Sequence, residues 1–237
     1  MAMTSAVLAQ HRRQRAANSP ARGRPAPILE NGDALTRAEF ERRYARMPHL
    51  KKAELLEGVV FMSAAVRYGH GKPHGRILLW LGAYGIETPG VDCADNVTVR
   101  LDDENEVQPD ALLRLEEGFG GQSRLSDDDY IEGPPELIVE VASSRVSYDL
   151  RQKFEVYRRH GVKEYLVWRV DDNALDWFAL QNGEYAALAS DADGLLRSRV
   201  FPGLWLSVDA LLSDDMKTVL RVLRDGLAER NGDGCSA

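Results

Sequence analysis

The chain has 237 residues, 44% of them hydrophobic and 28% charged, with a formal net charge of −7. At roughly 100–200 residues per domain, that length is one large domain or one domain with extensions. The composition excludes a wholly disordered chain, and no apolar run approaches the ~20 residues of a bilayer span. Cys93 and Cys235 are the only cysteines, too few for a disulfide scaffold or a thiolate zinc site. A reducing cytoplasm is the expected setting.

The charge is unevenly placed. Residues 1–29 hold Arg12, Arg13, Arg15, Arg22 and Arg24 and no acid, so the remainder carries 25 bases against 37 acids. A domain this acidic does not coat nucleic acid by phosphate neutralisation. Any phosphate chemistry would need metal ions between protein carboxylates and substrate. Residues 1–33 read as a disordered basic arm, an inert tail by default, without the apolar segment of a secretory signal. Residues 34–230 read as one domain and 231–237 as a flexible tail.

Order is expected from Leu35. Thr36 to Glu39 forms a capping box opening a helix, with Phe40 and Tyr44 one turn apart behind it. Ala53–Ser63 predicts two short strands around Glu57-Gly58. His70–Tyr84 has the helical spacing, with Ile77, Leu78 and Leu81 on its apolar face. Asn96–Leu101 and Glu106–Leu113 read as strands joined by the turn-forming Asp102 to Asn105. The polar stretch from Glu116 to Pro135 reads as a long loop, of the kind that is usually functional or mobile. Glu136–Ala142 is a strand buried on both faces. Asp149–His160 is a helix closed by Gly161. Glu164–Val170, Leu175–Leu180 and Glu184–Leu188 are further strands, and Asp209 to about Arg230 is a closing helix. The pattern is a mixed α/β (α+β) core, a central sheet flanked by helices.

Two carboxylates have settings unlike those of ordinary surface acids. Asp110 follows Pro109, which cannot donate to a sheet ladder, so the strand should be irregular or at an edge there. Glu140 lies inside Leu137–Ala142, where every neighbour is apolar. A lone buried carboxylate costs several kcal/mol unless it pairs with or ligates a cation. A structural salt bridge would satisfy Glu140 equally well. Lys153 falls on the edge of the apolar face that Leu150, Phe154 and Tyr157 define, while Arg151 and its neighbours face water. A lysine there either meets an acid inside the fold or snorkels to solvent. Asp, Glu and Lys on neighbouring elements suit Mg²⁺-assisted phosphodiester cleavage, with carboxylates holding a hard cation that activates water.

Pro109-Asp110, Glu140-Val141, Asp149 to Lys153 and Tyr157 together resemble the PD-(D/E)XK nuclease superfamily. Within it they are similar to the Uma-two group of putative restriction endonucleases. The resemblance runs from about Thr36 to Leu206 and includes Glu54-Leu-Leu-Glu-Gly58, His74, Pro135–Ser143 and Gly161–Val167. The superfamily lysine normally stands two residues after the second acid, where this chain has Ala142. In this group it has moved to the next helix, which points to Lys153 as the catalytic lysine that would polarise the water or phosphate. The resemblance therefore implies a restriction-endonuclease-like fold. It implies Asp110 and Glu140 as ligands of Mg²⁺, or Mn²⁺, with the Val141 carbonyl as a third. It also implies Glu54 as a supporting acid and DNA as substrate. Glu54 could instead be a surface acid of the hairpin beside Lys51 and Lys52. His74 is a candidate phosphate contact, and Tyr157 and Arg151 are candidate substrate contacts, although Tyr157 suits the core as well. His70 and His74 stand four apart on one helix, but no third nitrogen or sulfur ligand accompanies them.

The leading expectation is a Mg²⁺-dependent DNA endonuclease or nickase. A nuclease-fold module that binds nucleic acid or protein without cutting is the alternative. A hydrolase of small phosphoesters is a third reading, weakened by the lack of a Gly-rich phosphate loop. A homodimer is expected because two DNA strands need two sites. Trp177-Phe178 and Phe201–Trp205 are its candidate surfaces, because their apolar side chains exceed what one sheet face can bury.

Overall fold

The computed structural model describes residues 27–63, 65–142 and 148–233. Most of the expected N-terminal arm, residues 1–26, and the last four residues lie outside these. So do the side chains of Asp149 and Leu150. The first described contacts come earlier than expected: Leu29 is buried in a cluster with Phe40, Leu55 and Val60.

Helix α1 (Arg37–Tyr44) is capped by Thr36, whose side chain accepts from the Glu39 N–H at 3.5 Å. Only half of the capping box forms, because the Glu39 carboxylate turns to Arg42 and Arg43 instead. Strands β1 (Ala53–Leu56) and β2 (Val59–Met62) pair antiparallel across Glu57-Gly58. Both turn residues have positive φ, 51° and 74°, as a tight hairpin turn requires and as glycine accepts without strain. Helix α2 (Tyr68–Ile86) is longer than its apolar spacing predicts. Strand β3 (Val91–Asp95), hidden in a mixed polar sequence, follows it.

At Pro109 the chain changes sheets. Strands β4 (Val99–Arg100) and β5 (Glu106–Val107) join β1 and β2, whereas β6 (Ala111–Leu115) pairs with β3. The single strand expected over Glu106–Leu113 is therefore two strands in two sheets. The expected loop 116–135 is not open either. It contains a 3-10 turn (Glu117–Phe119) and strands β7 (Arg124–Leu125) and β8 (Ile131–Glu132), which complete the first sheet beside β4. Buried Glu136 ties this segment down, accepting from Leu115 N–H at 2.8 Å and Gln122 N–H at 3.0 Å.

Strand β9 (Leu137–Ala142) leads through α3 (Tyr148–His160) to its parallel neighbour β10 (Glu164–Arg169). Strands β11 (Ala174–Gln181) and β12 (Glu184–Ala187) extend the sheet antiparallel. The order of this mixed sheet is β12-β11-β10-β9-β6-β3, so β9 is central and lies beside the strand that Asp110 introduces. A hairpin of β13 (Leu195–Arg197) and β14 (Trp205–Ser207) comes next. The expected C-terminal helix is two: α4 (Val208–Leu212) and α5 (Met216–Asp233), separated where Asp214 takes a φ of 63°.

Alternation along the strands sorts the core into layers. Leu137, Val139 and Val141 of β9 face Ile77, Trp80, Leu81 and Tyr84 of α2 and Val219, Leu223 and Leu227 of α5. Ile138 faces the other way, into a cluster with Leu112, Leu56, Val99, Val107 and the α3 residues Val156 and Tyr157. That second layer lies between the two sheets. Trp177 and Phe201, expected to leave apolar surface for a dimer, are buried within this chain, with Trp177 edge-on to Trp80 at 5.6 Å.

Helix α5 approaches the β13–β14 hairpin closely at two glycines. A Cβ on Gly226 would lie 2.5 Å from the Gly203 carbonyl oxygen and 2.7 Å from the Trp205 ring. Alanine normally stabilises a helix interior over glycine by about 1 kcal/mol. Here the sign reverses: Gly226→Ala is expected to lower the unfolding free energy in urea by about 1–3 kcal/mol through overpacking. A stabilised variant would show that helix and hairpin do not meet this closely.

Candidate active site

The layer between the sheets is apolar along most of its length and ionic at one end. Glu54 shares its face of β1 with Leu56, Glu140 shares its face of β9 with Ile138, and Asp110 precedes Leu112 by one alternation. The period of two aims all three carboxylates into this layer. Ala111 pairs with Val139, so one step further along the register sets Asp110 opposite Glu140. All three acids are buried.

Lys153 enters from α3. Its ammonium donates to Glu54 Oε1 and Glu140 Oε1, both at 2.9 Å. The Tyr157 hydroxyl donates to the same Glu140 oxygen at 2.9 Å, and the Gln108 N–H to Glu54 Oε1 at 2.8 Å. Only 5% of the Lys153 side chain is exposed, so it meets acids inside the fold and does not snorkel. Tyr157 is fully buried, and its hydroxyl serves Glu140. Glu54 is no surface acid of the hairpin. Arg151 is exposed on α3, outside this cluster.

Asp110 is held from several directions. Oδ2 accepts the Val141 N–H at 2.8 Å, and Oδ1 accepts from Lys52 Nζ at 3.0 Å. In a strand the N–H and C=O of one residue point to the same edge, so the Val141 carbonyl also faces this end of the sheet, where the β6 ladder has stopped. The His70 ring is close by, with Nε2 3.7 Å from Asp110 Oδ2. His74 Nε2 is 2.7 Å from the Asp110 carbonyl oxygen and 3.0 Å from Asp95 Oδ1. His74 thus fixes the Asp110 backbone.

Burial pushes the Glu140 carboxyl up to about 7, with Lys153 opposing and the Asp110 and Glu54 charges adding to the rise. Burial also disfavours the Lys153 charge, but Glu140 and Glu54 outweigh it and hold the ammonium protonated above the usual lysine range. For Asp110, burial is outweighed by the Lys52 charge and the Val141 N–H, which hold the carboxyl below its usual range. Burial lowers His70, over the opposing pull of Asp110.

Sequence reasoning passed over Lys52, and it weighed His70 only as a metal-ligating partner of His74. Lys52 had a signal: it stands two residues before Glu54, on the same face by strand alternation. The adjacent Lys51 made it look like part of a solvated charge run. The ring of His70 reaches the site only because α2 crosses the end of β6 and β9.

The donor chemistry fits a hard cation. Among the described residues no three His, Cys, Asp or Glu side chains converge as a ready-made metal centre. Mg²⁺ does not demand one, because it keeps several waters and is held by one or two carboxylates. The hydrogen bonds to Glu54 and Glu140 among the described residues all fall on Oε1, and Asp110, Glu140 and the Val141 carbonyl offer only oxygen.

Removing one partner of a buried ionic group leaves its charge uncompensated, at about 3–5 kcal/mol. Lys153→Ala is therefore expected to lower the urea unfolding free energy by that amount, and Tyr157→Phe by about 1–3 kcal/mol. A loss under about 1 kcal/mol for Lys153→Ala would place the ammonium in solvent and contradict the geometry.

The sequence matches none of the curated proteins with which it was compared. Among solved structures, the chain is similar to a protein from Anabaena variabilis described as a putative nuclease belonging to DUF820. The two share 14% identity and a TM-score of 0.57, over 73% of this chain and 96% of that one. This likeness is one of fold: the two chains share an architecture. No helix among the described residues is long and apolar enough to cross a membrane. A family model described as Uma2, putative restriction endonuclease, matches residues 37–209. That span contains every residue of the acid–lysine cluster, and the chain belongs to this family of nuclease-fold proteins.

Proposed function

We propose that the protein is a Mg²⁺-dependent DNA endonuclease or nickase that also accepts Mn²⁺. The observation that carries this is that Lys153 bonds both Glu54 and Glu140 at one end of the layer between the sheets, with Asp110 on the neighbouring strand held by the Val141 N–H. A bound divalent ion would supply an activated water and neutralise phosphate charge. Asp110, Glu140 and the Val141 carbonyl would hold it. Lys153 and Tyr157 orient Glu140, Lys153 and the Gln108 N–H orient Glu54, and His74 fixes the backbone of Asp110. In this reading Lys153 is a positioning residue, because both its short bonds go to glutamates.

Supercoiled plasmid with Mg²⁺ or Mn²⁺ is expected to become nicked or linear. Asp110→Ala should lower the rate by about 10²–10³, the range for loss of one preorganised charged group, and should weaken metal uptake. One observation favours a second reading, a module that binds nucleic acid without cutting it: Lys153 already engages both glutamates, and no three-ligand centre is preformed among the described residues. Intact plasmid under every divalent ion, with retained DNA binding, would establish that reading in place of the first.

A homodimer is part of the proposal, because cutting two strands calls for two sites related by a two-fold axis. Light scattering at micromolar concentration is expected to give twice the 26.4 kDa chain mass. A monomer that nicks one strand would remove the dimer and leave the chemistry standing.

A further inference from the structure

Two lysines serve this cluster, and their settings differ. Lys153 is 5% exposed and makes two bonds of 2.9 Å to buried glutamates. The Lys52 side chain is 19% exposed and makes one short bond, 3.0 Å to Asp110 Oδ1. Its other contact, Asn96 Oδ1 at 3.4 Å, is at the limit of a hydrogen bond. Lys52 immediately precedes β1, and its carbonyl accepts from the Ser63 N–H at 3.2 Å, so any movement lies in its long, partly exposed side chain. Moving Lys153 would strand two buried carboxylates. Moving Lys52 exposes one oxygen of an acid that the Val141 N–H still holds.

The oxygen that Lys52 occupies belongs to the carboxylate that would ligate the divalent ion. A compact ammonium and a hydrated dication compete for it, both by charge and by hard-oxygen preference. Once displaced, an ammonium on a four-carbon stem at the solvent side of the site is placed to meet an anionic oxygen of the substrate. Asp110, Glu140, Glu54 and Lys153 all act on the Lys52 charge, and a second cation among them would push it outward.

We propose that Lys52 is an exchangeable cation of this site, holding Asp110 until a divalent ion takes the carboxylate and then contacting the substrate phosphate, while Lys153 stays fixed. This rests on the metal-dependent nuclease reading above. The test is calorimetric titration of Mn²⁺ alone into the full chain, with plasmid cleavage at saturating Mn²⁺ as a second readout. Lys52→Gln should bind Mn²⁺ more tightly, by about 5- to 150-fold, the usual range of coupling between two ligands, yet cleave about 10²–10³ more slowly. Lys52→Arg keeps the charge and should retain wild-type Mn²⁺ affinity, which separates competition from any change in folding. A wild-type chain that binds Mn²⁺ while Lys52→Gln binds no tighter overturns the exchange and leaves the nuclease reading intact. Tighter Mn²⁺ binding with undiminished cleavage overturns the phosphate contact. A wild-type chain that takes up no Mn²⁺ overturns the nuclease reading and the exchange together.

Discussion

The ammonium of Lys153 is the point on which the rest of the structure depends. It joins an acid of the first sheet, Glu54, to an acid of the second, Glu140, from a helix that belongs to neither. Its partners stand 99 and 13 residues away in the chain. Two carboxylates buried side by side would repel each other and resist ionisation. With the lysine between them they become a fixed feature of the interior. Such an arrangement adds little net stability over an apolar core of the same shape. What it supplies is position: the sheets are registered by charge at the end where their apolar contacts run out.

Pro109 has a complementary part. A strand that continued from Glu106 to Leu115 would keep its carbonyls and N–H groups in one ladder. The missing N–H at Pro109 lets the chain leave the first sheet after Val107 and enter the second at Ala111. The step falls at Asp110. Because the β6 ladder starts only at Ala111, the Val141 N–H has no strand partner, and the Asp110 side chain takes its place at 2.8 Å. The irregularity that makes a poor strand thus places a carboxylate beside an unpaired strand edge.

Much of this was legible in the sequence, and the rest was not for identifiable reasons. Glu140 stood out because it is the lone charge in an apolar run, and Asp110 because of the proline before it. Lys153 was legible from its angular place on α3. Its complete burial was not, since that depends on Glu54, an acid distant in sequence. The segment 116–135 read as a loop because its two-residue strands carry no periodic signal. Its order comes from Glu136 and from the Arg114 guanidinium, which donates to Ser123 Oγ at 3.1 Å and to the Ser123 carbonyl at 3.2 Å. The β13–β14 hairpin was missed because its strands are only three residues each, too short for alternation to show, and its fit against α5 rests on two glycines far apart in the chain.

The acidity of the domain bears on how it can meet a polyanion. Many of its described arginines are already matched by acids: Arg100 by Asp128 and Glu41, Arg124 by Glu132, Arg158 by Glu155 and Glu184, Arg169 by Asp172 and Asp176. Cations held in this way release few counterions when a phosphate backbone approaches, so they add little of the sequence-independent affinity on which basic DNA-binding surfaces rely. Under the proposed reading, attraction is concentrated at the site. The electropositive elements there are the metal that the carboxylates would hold and the lysine that the metal would release. Under that reading the chain would engage a phosphodiester where it can act on it and repel the backbone elsewhere. The acidic surface would then work as a filter in favour of productive encounters.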